Sequence, residues 1–213
     1  MGMPVLIYGK SGSGKSRSLK NFSEDEIFLI NVERKLMPFR KHFKYELKSH
    51  NPDLIMQQLL KMPTKVAVID DAGYLMTHFF MEHHREKSGN ASFEMYDSIA
   101  DIMFNLLTFI KNKLADDVIV YIILHEDKDD FGEVKLLTLG KLLDRKVNMQ
   151  GMVTICLRCM SENGKHFFRT NTDGSDITKS PEEMFAEMEI ENDLKAVDTA
   201  IREYYGFEVN ENS

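Results

Sequence analysis

The feature that most constrains this chain is a glycine-rich motif close to its first residue. Residues 9–16 read Gly-Lys-Ser-Gly-Ser-Gly-Lys-Ser and match the pattern G-x-x-x-x-G-K-[ST] at every position. The apolar run at 3–8 predicts a buried strand before the motif, and 15–22 is typical of the opening of a helix. A flexible Gly/Ser linker has no reason to place Lys-Ser at this register. The sequence therefore predicts a phosphate-binding loop between a strand and a helix.

The residue types in this motif predict a nucleotide site. Glycines let the backbone approach phosphate oxygens, and the first-turn N–H groups and dipole of the helix favour negative charge. Lys15 is expected to reach the β- and γ-phosphates of ATP, and the Ser16 hydroxyl to hold Mg²⁺. The predicted nucleotide-binding residues are Gly9, Lys10, Ser11, Gly12, Ser13, Gly14, Lys15, Ser16 and Arg17.

Length and charge suggest how the chain is divided. Its 213 residues suit either one large domain or one domain with a small appendage. From Asp173 onward there are 12 acids and 3 bases, whereas the rest of the chain carries a net charge of +2. We therefore expect a core at 1–180 and an acidic helical C-terminal extension at 181–213. A mildly basic core is compatible with contact to nucleic acid.

Two further features bear on location and redox chemistry. The sequence has no run of 18 apolar residues and no secretory signal, so we expect a cytoplasmic protein with no membrane span. Cys156 and Cys159 form a C-x-x-C pair, but they lie on a predicted strand, where residues three apart face opposite sides. We expect two reduced, buried cysteines rather than a zinc or redox pair.

The order of predicted elements indicates the fold class. Strands alternate with helices, which predicts an α/β fold with a mostly parallel sheet flanked by helices, a late antiparallel hairpin and a helical C-terminus. The predicted strands are 3–8, 26–32, 65–71, 117–125, 152–160 and 165–171, and the predicted helices are 51–62, 92–114, 141–148, 181–188 and 192–206.

Polar residues follow several of these strands, at the edge of the sheet where ligands bind in such folds. Asp70 ends the third strand and is expected to support Mg²⁺ as a hard oxygen ligand. Glu33 follows the second strand and can orient and deprotonate a water for attack on the γ-phosphate. His125 ends the fourth strand and can sense that phosphate. The alternatives are a solvated turn for Glu33 and a solvent-facing strand end for His125.

The stretches "GKSGSGKS", "NVERK", "VAVIDDAGYL" and "YIILH" together resemble the RecA-like branch of P-loop ATPases. The likeness covers roughly residues 3–190 and is greatest to compact phage-encoded RecA-like ATPases linked to single-strand annealing and recombination. It implies that Lys15, Ser16 and Asp70 bind phosphate and Mg²⁺ and that Glu33 is the base. His125 fills a sensor position where classical recombinases carry glutamine. Asp71 stands where other P-loop ATPases place a catalytic acid, so it competes with Glu33.

The resemblance also implies partners. The stretches 77–92 and 126–141 match loops that touch single-stranded DNA, and the first mixes aromatic residues with His83, His84, Arg85 and Lys87. Ordinary mobile loops are the alternative reading of both. We expect a homo-oligomer, either a ring or a filament, and a single-strand-binding protein as a further partner. The neighbouring subunit would supply a cation, for which the candidates are Lys141, Arg145, Lys146, Arg158 and Arg169.

The expected function is therefore an ATP-binding, Mg²⁺-dependent ATPase coupled to single-stranded DNA binding in phage-type recombination or replication. Two other functions are compatible with the motif. One is a small-molecule or nucleotide kinase, although the sequence lacks an arginine-rich lid in mid-chain. The other is a nucleotide-gated assembly factor that does not contact DNA.

Overall fold

The computed structural model describes residues 1–84, 90–129, 131–139 and 146–207. The described strands are β1 Met3–Gly9, β2 Ile27–Asn31, β3 Tyr45–Leu47, β4 Val66–Asp70, β5 Ile119–Lys128, β6 Val134–Leu136, β7 Ile155–Glu162, β8 Lys165–Arg169 and β9 Glu189–Glu191. The α-helices are α1 Pro52–Leu59, α2 Tyr74–His83, α3 Asn90–Lys113 and α4 Leu194–Tyr205, and Ser16–Asn21 and Gln150–Met152 are short 3₁₀ helices.

The strands form a mixed sheet in the order β3-β2-β4-β5-β1-β7-β8-β9, with β6 paired to β5 beside this path. All pairs from β3 to β7 are parallel, whereas β7, β8 and β9 are antiparallel to one another. Strands β2 and β4 are buried at every position, which explains why their sequences are continuous apolar runs. The predicted α/β architecture with a late antiparallel hairpin is confirmed.

Helices cover both faces of this sheet. On one face, Ile30, Ile69 and Ile122 of the central strands pack with Ile99 and Leu106 of α3. The opposite face packs against α4 and the 3₁₀ helix at 16–21, and its buried side chains include Leu19, Leu29, Val68, Leu194, Val197 and Ile201. The described part of the acidic C-terminal segment thus contributes α4 to the main hydrophobic core.

Local signals in the sequence specify two elements correctly. Asn51 caps α1, because its side-chain oxygen accepts the Leu54 N–H at 3.0 Å, and Pro52 opens the helix. The β7–β8 hairpin turns at Asn163 and Gly164, whose φ angles of 50° and 77° suit a type I′ turn. The C-terminal helix predicted at 192–206 is likewise confirmed as α4.

The prediction that both cysteines are buried, on opposite faces of a strand, is also confirmed. Cys156 and Cys159 are free and buried, and they belong to the hydrophobic clusters on opposite faces of the sheet. Burial raises the pKa of both thiols, to about 11 for Cys159, so both are kept protonated at neutral pH.

Two predicted loops contain regular structure. The segment 77–92 is helical as far as His83 in α2, and 90–92 already belong to α3, while Arg85 and Lys87 lie outside the described residues. The segment 126–141 begins as the end of β5 and includes β6, which pairs with it, while Asp130, Gly140 and Lys141 lie outside the described residues. In α2 the rings of Phe79 and His83 stack along the helix, as do those of Phe80 and His84 at its C-terminal end.

The helix predicted at 181–188 is wrong. This stretch consists of turns and bends and leads into β9. Glu183 has a φ of 63°, which a continuous right-handed helix does not allow. The helix predicted at 141–148 falls mostly outside the described residues. Helix α3 begins at Asn90, two residues before the start predicted at 92.

Candidate functional site

The glycine-rich loop and three predicted site residues lie at one edge of the sheet. Gly9 at the end of β1 pairs in register with His125 of β5, and Asn31 at the end of β2 pairs with Asp70 of β4. Because all four strands run parallel, the residues that follow them emerge at the same edge. The β5 strand lies between β1 and β4, so His125 stands between the loop and the acids.

The loop requires glycine at specific positions. A Cβ on Gly9 would lie 2.3 Å from the Cys159 carbonyl oxygen, which leaves no space for a side chain. Gly14 has a φ of 107°, and its Cβ would lie 2.8 Å from Nδ1 of His166. The helix that follows is a 3₁₀ helix of six residues, Ser16–Asn21, rather than an extended α-helix. Attraction of an anion here therefore depends on loop N–H groups and Lys15 more than on a long helix dipole.

Lys15 is folded back onto its own loop. Its Nζ donates hydrogen bonds to the carbonyls of Gly9 at 2.8 Å and Lys10 at 2.7 Å, and it lies 3.5 Å from Nδ1 of His125. The side chain is buried, and this burial lowers the pKa of its ammonium group. An ammonium group has three protons. A phosphate oxygen must therefore replace one of these acceptors, and His125 makes the longest contact.

Asp71 is held between two donors. Nε2 of His125 donates to Oδ1 at 3.1 Å, and Nζ of Lys35 donates to Oδ2 at 2.7 Å. Burial alone would raise the pKa of Asp71, but these two hydrogen bonds outweigh it and lower the pKa to about 2. The hydrogen bond between Lys35 and Asp71 also raises the pKa of the Lys35 ammonium group. With Nε2 donating, neutral His125 presents Nδ1 as an acceptor to Lys15, so one chain of hydrogen bonds joins Lys15, His125, Asp71 and Lys35.

The backbone at Asp71 is strained. Its φ of 60° places a non-glycine residue in the left-handed region, at an energetic cost of about 1–3 kcal/mol. Strain of this kind persists where surrounding contacts hold a residue in a useful orientation. Here the contacts with His125 and Lys35 hold the carboxylate beside Lys15.

Asp70 and Ser16 form the part of the site that fits a magnesium ion. The Ser16 hydroxyl donates to Oδ1 of Asp70 at 3.0 Å. Burial and the nearby charge of Asp71 raise the pKa of Asp70 to about 6. The lysine side chains nearby therefore do not fully offset the free-energy cost of ionising this buried carboxyl group. Both side chains offer oxygen ligands, and Mg²⁺ uses one or two protein oxygens together with phosphates and waters. Among the described residues, no three His, Cys, Asp or Glu side chains are grouped to hold a metal without such help.

Glu33 lies apart from this chain of contacts. Its carboxylate accepts a hydrogen bond of 2.6 Å from Nε2 of His78 in α2. The His78 ring stacks on His50 at 4.2 Å, and His50 in turn contacts Glu82 at 3.2 Å. Glu33 does not line the pocket beside Lys15, whereas Asp71 does. Of the two predicted bases, the structure therefore brings only Asp71 next to Lys15 and His125.

A pocket of about 400 Å³ opens in front of these residues. His166 of β8 lines the pocket and donates a hydrogen bond from Nδ1 to the Ser13 carbonyl at 2.7 Å. Its other ring nitrogen, Nε2, takes no part in this contact. Arg17 also lines the pocket, and its guanidinium donates to Asn192 at 3.3 Å. His166 belongs to no sequence motif, so only the position of the β7–β8 hairpin beside the loop shows that it lines the pocket. The other lining residues are Ser11, Gly12, Gly14, Lys15, Ser16, Lys35, Leu36, Pro38, Asp71 and His125.

The remaining loop residues, Lys10 and Ser13, line a second cavity of about 420 Å³ on the other side of the loop, together with Ser11 and Gly12. Arg158 lies in this cavity and is held by two donations to Glu126, at 2.8 and 3.0 Å, and by Asp176 at 3.3 Å. Both acids are almost completely buried. Arg158 is therefore committed to its own chain in this structure.

The other candidate cations for a neighbouring site also have partners. Arg169 pairs with Asp173 at 3.2 Å, and Lys146 forms an ion pair with Asp97. Lys141 and Arg145 lie outside the described residues. Each of these described cations would have to break its ion pair with an acid of its own chain before it could contact a neighbouring subunit.

A scan against protein-family models gives no match for this chain, and a search of curated proteins gives none either. Among the described helices, none combines the length and apolar character needed to cross a membrane. The function is therefore argued from the residues and geometry of the site.

Proposed function

We propose that this protein is a Mg²⁺-dependent ATPase of the RecA-like type that couples ATP hydrolysis to the binding of single-stranded DNA. The observation that carries the proposal is the hydrogen-bonded chain Lys15–His125–Asp71 beside the Ser16–Asp70 pair, on a complete G-x-x-x-x-G-K-S loop. A cation for phosphate, oxygens for Mg²⁺ and an ionised carboxylate meet at one pocket. These are the components of phosphoryl transfer to water.

Each side chain has a distinct part in the proposed reaction. The loop and Lys15 bind the phosphates, and Ser16 and Asp70 would hold Mg²⁺, which neutralises charge developing on the transferred group. Asp71 orients the attacking water and accepts its proton, for which its place in the pocket favours it over Glu33. Its low pKa keeps it ionised at neutral pH but also makes it a weak base, so orientation of the water is its larger contribution.

His125 is proposed to report the state of the nucleotide. When Lys15 turns to the γ-phosphate, its 3.5 Å contact with His125 is lost. His125 remains bonded to Asp71 and is part of β5, whose far end continues into the β5–β6 hairpin. Loss of the phosphate after hydrolysis restores the contact, so the hairpin can respond to each turnover.

The proposed setting is a homo-oligomer, in the form of a ring or filament, acting in DNA recombination or replication. It rests on the resemblance to compact phage-encoded ATPases. Sedimentation with and without a non-hydrolysable ATP analogue tests it, with assembly beyond the monomer expected in the presence of Mg²⁺ and the analogue. A protein that stays monomeric at all concentrations would contradict this setting.

The test of the activity is release of phosphate from ATP by the wild type, Asp71→Asn and the matched control Glu33→Gln. We expect Asp71→Asn to reduce kcat by at least about 100-fold with ATP affinity retained, because the carboxylate acts in the chemical step. Glu33→Gln should reduce it by less than about tenfold. If only Glu33→Gln abolishes turnover, the assignment of the base is wrong. Transfer of phosphate to a small acceptor instead of water would identify a kinase.

A further inference from the structure

The segment that follows β2 has a charge unlike that of the chain as a whole. Residues 33–48 contain six Lys and Arg side chains against two acids, in a protein of net charge −7. Most of these bases are exposed. The segment runs from the end of β2, beside the nucleotide pocket, to the edge strand β3. A concentrated positive surface in an acidic protein favours an anionic partner.

This segment borders a groove of about 220 Å³, which we call the basic groove. The aromatic ring of Phe39 is half-buried there and meets Phe43 edge-to-face at 6.2 Å. One acid, Glu46, also lines the groove, and it accepts a hydrogen bond from Asn31 at 3.1 Å. The bases that line the groove are Lys35, Arg40, Lys41, His42 and Lys48.

Several of these cations are available to a ligand. Arg40 is exposed and forms no ion pair within the described part of the chain, and the same holds for Arg34 next to the groove. Among the residues that the structure describes, Lys48 pairs with Glu46, at 3.4 Å, and its side chain is half exposed. Lys41 differs, because it donates to the carbonyls of Lys20 and Phe22 at 2.6 Å and so holds the end of the first 3₁₀ helix.

We propose that the basic groove binds the backbone of single-stranded DNA, and this inference rests on the proposed function. Exposed guanidinium and ammonium groups pair with successive phosphates, while the ring of Phe39 offers a surface on which a base can stack. Stacking on this ring favours a single strand, because the bases of a duplex are already paired and stacked on one another. The stretches that sequence resemblance assigned to DNA fit less well, because α2 is partly buried in the core and the β5–β6 hairpin carries acids at Asp127 and Asp129.

The groove is physically joined to the nucleotide pocket. Lys35 and Leu36 line both cavities, and Lys35 donates to Asp71 at 2.7 Å. A DNA phosphate that attracts Lys35 would loosen its hold on Asp71 and so alter the carboxylate that orients water. Leu36 is 89% exposed at this junction, where a bound strand would cover it. DNA binding and ATP hydrolysis are thus coupled through one side chain.

The first experiment measures fluorescence anisotropy of a labelled 30-nucleotide oligothymidylate with the full chain. We expect Arg40→Glu/Lys48→Glu to weaken binding at least about tenfold and to reduce the salt slope by about 1.4, the value for two lost single-strand phosphate contacts. The matched control Lys61→Glu/Lys113→Glu makes the same charge change at exposed positions near the opposite edge of the sheet and should weaken binding less than about threefold. Equal loss in both variants, or equally tight binding of a 30-bp duplex by the wild type, would overturn the proposal.

The second experiment separates the groove from the nucleotide site. Arg40→Glu/Lys48→Glu should keep the ATPase rate measured without DNA but lose stimulation by oligothymidylate. Lys35→Met should abolish stimulation while the oligonucleotide still binds, since it breaks the link to Asp71. Undiminished stimulation in Lys35→Met would overturn the coupling. If the wild type binds the oligonucleotide through the groove but hydrolyses no ATP, the proposed function fails and the groove stands.

Discussion

Two buried groups of charged side chains lie at opposite ends of the same parallel strands, and they differ in how fully they are paired. At the amino end, Arg202 of α4 is 2% exposed and donates to Asp198 at 2.7 Å and to the carbonyls of Asp117 and Lys65 at 3.1 and 3.3 Å. The Tyr121 hydroxyl completes the set by donating to Asp198 at 2.9 Å. We call this group the Arg202 anchor.

The group at the carboxyl end is paired less completely. Asp70 is buried with a raised pKa, and within the described ranges its side chain is hydrogen-bonded to the neutral Ser16 hydroxyl. Asp71 is strained, and Lys15 contacts a ring nitrogen of His125 at 3.5 Å, which a phosphate would have to replace. The comparison teaches that the same residue types serve stability where every group is matched, and ligand binding where charge is left to be neutralised.

The largest effect on stability is expected from Arg202→Met, which leaves Asp198 buried without its cation. The free energy of unfolding, measured by urea denaturation, should fall by about 3–5 kcal/mol. Lys195→Met is the control on the same helix. It removes a partly exposed ion pair with Glu26 at 3.1 Å and should cost less than about 1 kcal/mol.

If Arg202→Met is too unstable to purify, Arg202→Met/Asp198→Leu should recover part of the loss, because no buried charge is left unpaired. An Arg202→Met variant no less stable than Lys195→Met would contradict the role of the anchor.

At the carboxyl end of the strands, removing a buried charge is expected to increase the free energy of unfolding rather than reduce it. Burial raises the pKa of Asp70 from 3.8 to about 6, so its ionisation costs stability. This cost is absent below about pH 4, grows as the pH rises to about 6 and is complete above it. Asp70→Asn keeps an acceptor for Ser16 without the charge. It should therefore stabilise the nucleotide-free protein by about 1–3 kcal/mol at pH 7 and by almost nothing at pH 4.

Thermal unfolding at the two pH values measures this effect, with the exposed Asp25→Asn as a control that should change little. Addition of Mg²⁺ and an ATP analogue should raise the melting temperature of the wild type more than that of Asp70→Asn. A loss of stability in Asp70→Asn at pH 7 without nucleotide would show that Asp70 is structurally satisfied, like the anchor.

The smallest effect is expected from Tyr121→Phe within the anchor. It removes one hydrogen bond to Asp198 but leaves Arg202 in place, so the free energy of unfolding should fall by about 1 kcal/mol. The ATPase rate should be unchanged, because Tyr121 lies at the amino end of β5, away from the pocket. A change in kcat with unchanged stability would mean that the two ends of the sheet are coupled.

Sequence predicts those parts of this molecule whose signals are local. The loop 9–16 carries its full motif in consecutive residues, and Asp70 follows an apolar run that specifies a buried strand. The Asn163-Gly164 turn has its own backbone preference. For these features, neighbouring residues in the chain supply the physical cause.

Other parts of the site depend on contacts between residues far apart in the chain. His166 reaches Ser13 only because β8 folds beside the loop, and Lys35 reaches Asp71 only because β2 and β4 are neighbours. Glu33 precedes a turn that could lead toward the pocket, yet His78 binds it instead. No spacing rule encodes such pairs, because tertiary packing decides them.

The central claim is that Lys15, Ser16, Asp70 and Asp71 form a site for ATP with Mg²⁺. The most direct test is calorimetric titration of a non-hydrolysable ATP analogue with Mg²⁺ into the wild type and Lys15→Met, with the exposed Lys10→Met as the matched control. The account predicts a Kd at least about 100-fold higher for Lys15→Met and less than about tenfold higher for Lys10→Met. A folded Lys15→Met variant that binds the analogue within about threefold of the wild type would contradict it.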